Sequence, residues 1–138
     1  MCSITGGMKP GTPAAAGGRG DRLAGQTAIV TGAGRGLGRA IAVSLASEAA
    51  AVVAIARSAA QVDETVALIQ SSGGRATGVA MDVTDGSAFG RTVTEIGERL
   101  GPVNLLVNNA AVIAPLGPAW QVSMDEWWRL METTCEAR

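Results

Sequence analysis

The feature that most constrains this sequence is a glycine-rich turn at residues 31–38, Thr-Gly-Ala-Gly-Arg-Gly-Leu-Gly. It follows a short apolar run at residues 27–30 and precedes a segment with helical spacing. Glycines let a backbone approach a ligand closely, and the free N–H groups at a helix N-terminus bind phosphate. A strand, a glycine turn and a helix in this order predict a dinucleotide-binding βα unit. The alternative is a turn with a purely structural role.

The rest of the chain alternates apolar runs with segments of helical spacing. Strands are predicted at Thr27–Thr31, Ala51–Ala56, Ala76–Met81 and Val103–Val107. Two helices are predicted from an apolar face: Leu37, Ile41 and Leu45 in the first, and Phe89, Val93, Ile96 and Leu100 in the third. The other two are predicted from a capping box, Ser58 with Gln61 for the second helix and Ser123 with Glu126 for the fourth.

Continuously apolar strands that alternate with helices are typical of a parallel sheet covered on both faces. We therefore predict an α/β fold, a Rossmann-like doubly wound parallel sheet truncated after about four strands. Residues 1–24 are rich in Gly, Pro and Ala and are predicted to be a flexible leader. Residues 25–132 are predicted to be one incomplete cofactor-binding domain. The fourth strand is expected to leave an open apolar edge, so the isolated chain is expected to be marginally stable or insoluble.

Composition excludes several classes of function. The net charge of −1 gives no electrostatic case for binding nucleic acid or an anionic membrane surface. No apolar run approaches the ~20 residues of a membrane-spanning helix, so a cytoplasmic location is expected. The chain has no His, and Cys2 and Cys135 lack the spacing of metal ligands. No metal site is therefore predicted.

Three motifs in order make the sequence resemble the short-chain dehydrogenase/reductase (SDR) family over roughly residues 23–132. They are the spacing Thr-Gly-x-x-x-Gly-x-Gly at 31–38, Asp82-Val83-Thr84-Asp85, and Asn108-Asn109-Ala110. The last departs from the family pattern because Ala111 stands where Gly is usual. The resemblance implies an NAD(P)-dependent oxidoreductase that interconverts small-molecule alcohols and carbonyls by hydride transfer. It also implies that full-length relatives are usually homo-oligomers.

The resemblance implies cofactor-binding roles at the matching positions. Thr31 and the glycines would hold the phosphate side, Asp82 and Val83 the adenine ring, and Asn108 and Ala110 the ribose and nicotinamide side. Two arginines are added to this set for the choice of cofactor, as described below. The predicted cofactor-binding residues are Thr31, Gly32, Gly34, Arg35, Gly36, Leu37, Gly38, Arg57, Asp82, Val83, Asn108 and Ala110. The alternatives are that Asp82 is only a turn residue at a strand end and that Asn108 braces the sheet.

The choice between NADP and NAD rests on charge. Folds that prefer NAD carry an acidic residue about 20 positions after the glycine turn, where it binds the ribose 2′-hydroxyl. This sequence has no acidic residue between Glu48 and Asp63, and Arg57 follows the second strand. The guanidinium groups of Arg35 and Arg57 suit the 2′-phosphate of NADP. We therefore predict NADP, with NAD as the alternative. In that case Arg35 is a common residue of this turn without a ligand, and Arg57 is a solvated residue at the end of a strand.

Catalysis in the SDR family uses a Ser and a Tyr-x-x-x-Lys pair, and neither motif can be placed here. The chain has no Tyr, and its only Lys is Lys9. No catalytic residue is assigned, and the chain is expected to be inactive alone. Residues 133–138 depart from the family pattern, and one coding of them restores it in a shifted reading frame, which raises the hypothesis of a frameshift after Glu132. The alternative functions are a non-catalytic dinucleotide-binding fragment or a non-functional truncated product.

Overall fold

The computed structural model describes residues 4–5, 20–112 and 118–135. The strands are β1 (Ile4–Thr5), β2 (Thr27–Thr31), β3 (Ala51–Ala56), β4 (Arg75–Ala80) and β5 (Val103–Val107). The α-helices are α1 (Gly36–Ser47), α2 (Ala59–Ser71), α3 (Gly86–Leu100) and α4 (Met124–Cys135), and Ala119–Gln121 form a 3₁₀ turn. The third predicted strand thus begins and ends one residue earlier than expected.

The strands form one sheet in the order β1-β4-β3-β2-β5. The neighbours β4, β3, β2 and β5 are parallel, and β1 is antiparallel to β4. One core cluster joins α1 and α2 to one face of the sheet, and a second joins α3 to the other face. The predicted doubly wound parallel sheet is confirmed. The chain runs outward from β2 to β4 and then returns to β5 on the other side of β2, so strand order reverses beside β2.

The two edges of the described sheet differ. β5 pairs with β2 on one side, and no described strand lies on its other side; the Leu106 side chain of β5 is 41% exposed. At the opposite edge, Ile4 pairs with Val79 and Thr5 with Gly78. This pairing differs from the flexible leader predicted for residues 1–24, of which 1–3 and 6–19 lie outside the described residues. None of the described helices is long and apolar enough to span a bilayer.

The predicted apolar face of α1 is correct for Ile41 and Leu45, which pack against the core cluster, and wrong for Leu37. Gly38, Ala42 and Ala46 face the core, whereas Leu37 is 70% exposed. The reason is close packing, because a Cβ on Gly38 would overlap the carbonyl oxygen of Gly32. Only small residues fit between the start of α1 and β2, and the larger Ile41 packs at the margin of the cluster.

The other helices follow their sequence signals. Val62, Val66 and Ile69 of α2 are buried, as are Phe89 and Ile96 of α3. Side-chain caps begin each of these helices and α4 as well: Ser58 accepts from the Gln61 N–H, Asp85 from the Ala88 N–H, and Ser123 from the Glu126 N–H. Both predicted capping boxes therefore mark helix starts, and Asp85 does so for α3.

Candidate dinucleotide-binding site

A cleft of about 730 Å³ opens at the carboxyl ends of the parallel strands, beside the point where strand order reverses. In open α/β sheets, ligands bind in the crevice at this position. The glycine turn after β2 forms one wall, and residues after β3, β4 and β5 form the others. Its volume lies within the range of small-molecule sites.

Ten of the twelve residues predicted for the site line this cleft, and two do not. Those that line it are Gly32, Gly34, Arg35, Gly36, Leu37, Gly38, Arg57, Asp82, Val83 and Ala110. Thr31 and Asn108 lie outside its lining. Eight further residues line the cleft that the sequence pattern does not predict: Ala56, Ser58, Gln61, Met81, Asn109, Ala111, Val112 and Thr133. Ser58 and Gln61 belong to the capping box of α2, a pattern that by itself predicts only a helix start.

Thr31 is a fully buried link between β2 and the segment after β5. Its hydroxyl donates to the carbonyl oxygen of Val107 (3.3 Å) and accepts from the N–H groups of Asn109 and Ala110, each at 3.0 Å. Its side chain is 0% exposed. Thr31 therefore positions the two walls of the cleft relative to each other and does not line the cleft itself.

The sheet-bracing role considered for Asn108 belongs to its neighbour. The Asn109 side-chain amide donates to the carbonyl oxygens of Thr31 (3.0 Å) and Gly32 (3.4 Å). Asn108 is exposed. The alternation along β5, in which odd-numbered positions are the more buried, continues to Asn109 and would have identified it.

The glycine turn depends on residues without a side chain. Gly32 and Gly36 have φ values of +66° and +55°, a region that L-residues rarely adopt. A Cβ on Gly32 would lie 2.8 Å from the side-chain nitrogen of Asn109. A Cβ on Gly36 would meet no other group within 4 Å, so this part of the backbone is open. The turn therefore exposes its main chain to the cleft at Gly36, while at Gly32 it packs tightly against Asn109.

The start of α1 is the one α-helix N-terminus with no side-chain cap among those described. Arg35 occupies the cap position without a side-chain hydrogen bond, whereas Ser58, Asp85 and Ser123 cap the other helices. The first turn of α1 also contains no acidic residue. The first N–H groups of a helix have no partner within it and carry the positive end of its dipole. These groups fit an anionic phosphate at the cleft.

Charge in the cleft is mainly positive. Arg35 and Arg57 are exposed and line it, and Asp82 is the only acidic residue among its described lining. The Asp82 carboxylate accepts hydrogen bonds from the N–H (3.0 Å) and the hydroxyl (2.8 Å) of Thr84. Hydrogen bonds from the Thr84 backbone and hydroxyl are the main causes that lower the pKa of Asp82 below its usual value. Burial opposes them, the charge of Arg57 adds to the lowering, and the charge of Asp85 opposes it.

The depressed pKa of Asp82 predicts a pH-dependent contribution to stability. A carboxyl whose pKa is lower in the folded state stabilises the fold above its unfolded pKa of about 3.9, and this contribution is lost as pH falls through the folded pKa. Asp82→Asn is therefore expected to be less stable than the wild type at pH 7, with the difference shrinking below about pH 4. Urea unfolding between pH 7 and pH 3 measures it.

The matched control is Asp21→Asn, which removes an exposed carboxylate before β2. This variant is expected to be about as stable as the wild type at pH 7, because it changes an exposed surface side chain. A stability difference for Asp82→Asn that stays constant down to pH 3 would contradict the role of its carboxylate.

The comparisons with known proteins agree with this geometry. A family model described as short chain dehydrogenase matches residues 26–137. A short chain dehydrogenase of Pseudocercospora fijiensis is 39% identical over 84% of this chain, and gluconate 5-dehydrogenase of Gluconobacter oxydans is 36% identical over 83% of it. A metagenomic short-chain oxidoreductase, solved in complex with NADP, superposes on 83% of this chain with a TM-score of 0.79 and 36% identity.

The chain is shorter than these proteins. It spans 38% and 44% of the two curated relatives and 52% of the solved oxidoreductase. The matched region contains the glycine turn and the strands and helices that build the cleft.

Proposed function

Because the chain belongs to the short-chain dehydrogenase family, we propose that it carries the cofactor-binding half of an NADP-dependent oxidoreductase. The whole enzyme would interconvert a small-molecule alcohol and its carbonyl by hydride transfer. The observation that carries the proposal is the cleft in which the uncapped start of α1 lies with Arg35 and Arg57. Residues 25–132 would form this cofactor-binding unit, in a cytoplasmic protein.

Each wall of the cleft would bind one part of the dinucleotide. The amides of Gly34 to Gly38 would bind the pyrophosphate, as helix N-termini bind anions. Asp82 and Val83 would contact the adenine, and Ala110 with the adjoining Asn108 would lie along the ribose and nicotinamide. The cofactor, when bound, supplies the hydride donor or acceptor. Thr31 and Asn109 would act by holding the turn against the end of β5.

The preference for NADP is supported by the charges that surround the end of β3. Arg57 follows this strand and lines the cleft, and Arg35 lines it from the turn. A guanidinium presents a planar set of donors that matches a phosphate, whereas a carboxylate at this place would repel it. The related oxidoreductase solved with NADP is consistent with this choice. NAD remains the alternative cofactor.

The residues of this chain bind and orient; they do not supply the proton that carbonyl reduction requires. By resemblance, that proton comes from the Tyr of a Tyr-x-x-x-Lys pair, and the 138 residues contain no Tyr and no Lys except Lys9. We therefore propose that these residues alone bind the dinucleotide without turnover. The second candidate, a non-catalytic dinucleotide-binding protein, is favoured by the same observation. A non-functional product would neither fold nor bind.

Equilibrium titration of the chain with NADPH and NADH, followed by nicotinamide fluorescence, tests the proposal. We expect saturable 1:1 binding and at least about tenfold tighter binding of NADPH, because one charge-assisted hydrogen bond contributes about 1.5–3 kcal/mol. Tighter binding of NADH would contradict the choice of NADP. The absence of saturable binding of either would contradict the function, and carbonyl reduction by the chain alone would contradict the expected lack of turnover.

A further inference from the structure

Arg39, in the first turns of α1, reaches back to the glycine turn. Its Nε lies 3.1 Å from the carbonyl oxygen of Gly34 and 3.0 Å from the hydroxyl of Thr65 in α2, and its Nη2 also donates to the Gly34 carbonyl. The same Nη2 pairs with a carboxylate oxygen of Glu64 at 2.9 Å. One guanidinium thus joins the turn to the neighbouring helix. The position does not line the cleft.

Thr65 holds the adjacent peptide group of the turn. Its hydroxyl is fully buried and lies 2.9 Å from the carbonyl oxygen of Ala33 and 3.0 Å from that of Gln61, to either of which it can donate its proton. The Thr65 hydroxyl also accepts a hydrogen bond from Arg39, so its own proton points toward these carbonyls. Two consecutive carbonyls of the turn, those of Ala33 and Gly34, therefore lie within hydrogen-bonding distance of Thr65 and Arg39.

Holding these carbonyls also fixes the following N–H groups. A trans peptide group is planar, and its N–H points opposite to its C=O. With the Ala33 carbonyl directed at Thr65 and the Gly34 carbonyl at Arg39, the N–H groups of Gly34 and Arg35 are directed away from both side chains. Gly34 and Arg35 line the cleft. The contacts of Thr65 and Arg39 thus set the orientation of two N–H groups that could donate hydrogen bonds to a phosphate.

From this geometry we infer that Arg39 is a positioning residue, which orients the peptide groups of the glycine turn for the pyrophosphate of a dinucleotide. The inference rests on the proposed function, because it names how that site is held in its receptive form. Arg39 contacts the main chain of the turn and acts on the ligand only through it. Its effect is therefore the same for NADPH and NADH, in contrast to the effect of Arg57.

A purely structural role for Arg39 predicts a different pattern. Glu64 is 65% exposed, and exposed ion pairs add little to stability. The contacts that matter for positioning are those with Gly34 and Thr65. A stabilising ion pair would be weakened by Glu64→Gln, whereas the positioning contacts would survive that change. Glu64→Gln is therefore the matched control.

The test compares two ligands on the full chain. NADPH carries a pyrophosphate, and adenosine 2′-monophosphate carries the adenine, the ribose and the 2′-phosphate without one. Arg39→Met keeps the length of the side chain and removes its hydrogen-bond donors. It is expected to weaken NADPH binding about tenfold or more, since the lost hydrogen bonds are charge-assisted. Binding of adenosine 2′-monophosphate is expected to change less than about twofold, because nothing in that ligand uses the turn amides.

Two further variants separate positioning from folding. Arg39→Lys keeps the charge and can reach one of the acceptors, so it is expected to recover part of the NADPH affinity, and it replaces Arg39→Met in the comparison if the Met variant does not fold. Glu64→Gln is expected to bind both ligands as the wild type does.

Four results would overturn the inference. An equal loss of both ligands in Arg39→Met would indicate a general structural role, and an unchanged NADPH affinity would remove any role in binding. A loss in Glu64→Gln as large as that in Arg39→Met would assign the effect to the ion pair. A wild type that binds neither ligand would overturn the proposed function and this inference with it, so the two failures are distinguished by the wild-type titration.

Discussion

Replacing Gly38 by alanine is expected to abolish measurable NADPH binding and to lower the free energy of unfolding by about 1–3 kcal/mol. The added Cβ would overlap the carbonyl oxygen of Gly32 and the side-chain nitrogen of Asn109. The first of these atoms belongs to the backbone, so the turn itself must move. Because the turn amides are the proposed pyrophosphate donors, a shift of the turn removes binding as well as stability. NADPH titration and urea unfolding measure the two effects.

The matched control is Gly90→Ala in α3. A Cβ at Gly90 would meet no group within 4 Å. Alanine is favoured over glycine in a helix by about 0.5–1 kcal/mol, so this variant is expected to bind NADPH normally and to be at least as stable as the wild type. If Gly38→Ala bound NADPH within about twofold of the wild type, the turn would not be the pyrophosphate site.

The second large effect is expected at Arg57, where substitution by Glu should invert the cofactor preference. The change replaces a cation with an anion beside the proposed 2′-phosphate position and supplies a carboxylate that can accept from a ribose 2′-hydroxyl. NADPH affinity is expected to fall about 100-fold or more, and NADH affinity is expected to hold or rise. The ratio of the two dissociation constants, measured on the same preparation, reports the change.

Arg91→Glu makes the same change of charge on α3, at an exposed position that does not line the cleft. It controls for a general effect of charge on the binding of anionic ligands, and its ratio of dissociation constants is expected to equal that of the wild type. If Arg57→Glu weakened NADPH and NADH by the same factor, Arg57 would not contact the 2′-phosphate, and Arg35 would be the next residue to test.

The features that could be predicted from the sequence are those determined by nearby residues. The apolar runs of β2 and β3 lie at their predicted bounds, and the capping boxes at Ser58 and Ser123 mark helix starts. The glycine turn with its φ values of +66° and +55° at Gly32 and Gly36 likewise follows from a local pattern. In each case the signal and the structure it specifies lie within a few residues of one another.

The features that were missed depend on contacts between distant parts of the chain. Leu37 was expected to face the core, but the closeness of α1 to β2 leaves room only for Gly38 on that side. Arg39 and Thr65 are 26 positions apart, and their contact depends on the packing of α1 against α2. The pairing of Ile4 with Val79 joins a segment rich in Gly, Pro and Ala to a sheet edge. Periodicity within one element carries no information about such contacts.

The most direct measurement of whether this cleft binds a nicotinamide dinucleotide is amide hydrogen exchange of the wild-type chain with and without saturating NADPH. Binding through the turn predicts slower exchange at the amides of residues 34–38, with smaller protection at Arg57, Asp82 and Ala110, and no change along α3. Protection confined to other segments, such as α4 and the exposed edge of β5, would contradict it, as would an exchange pattern that NADPH leaves unchanged.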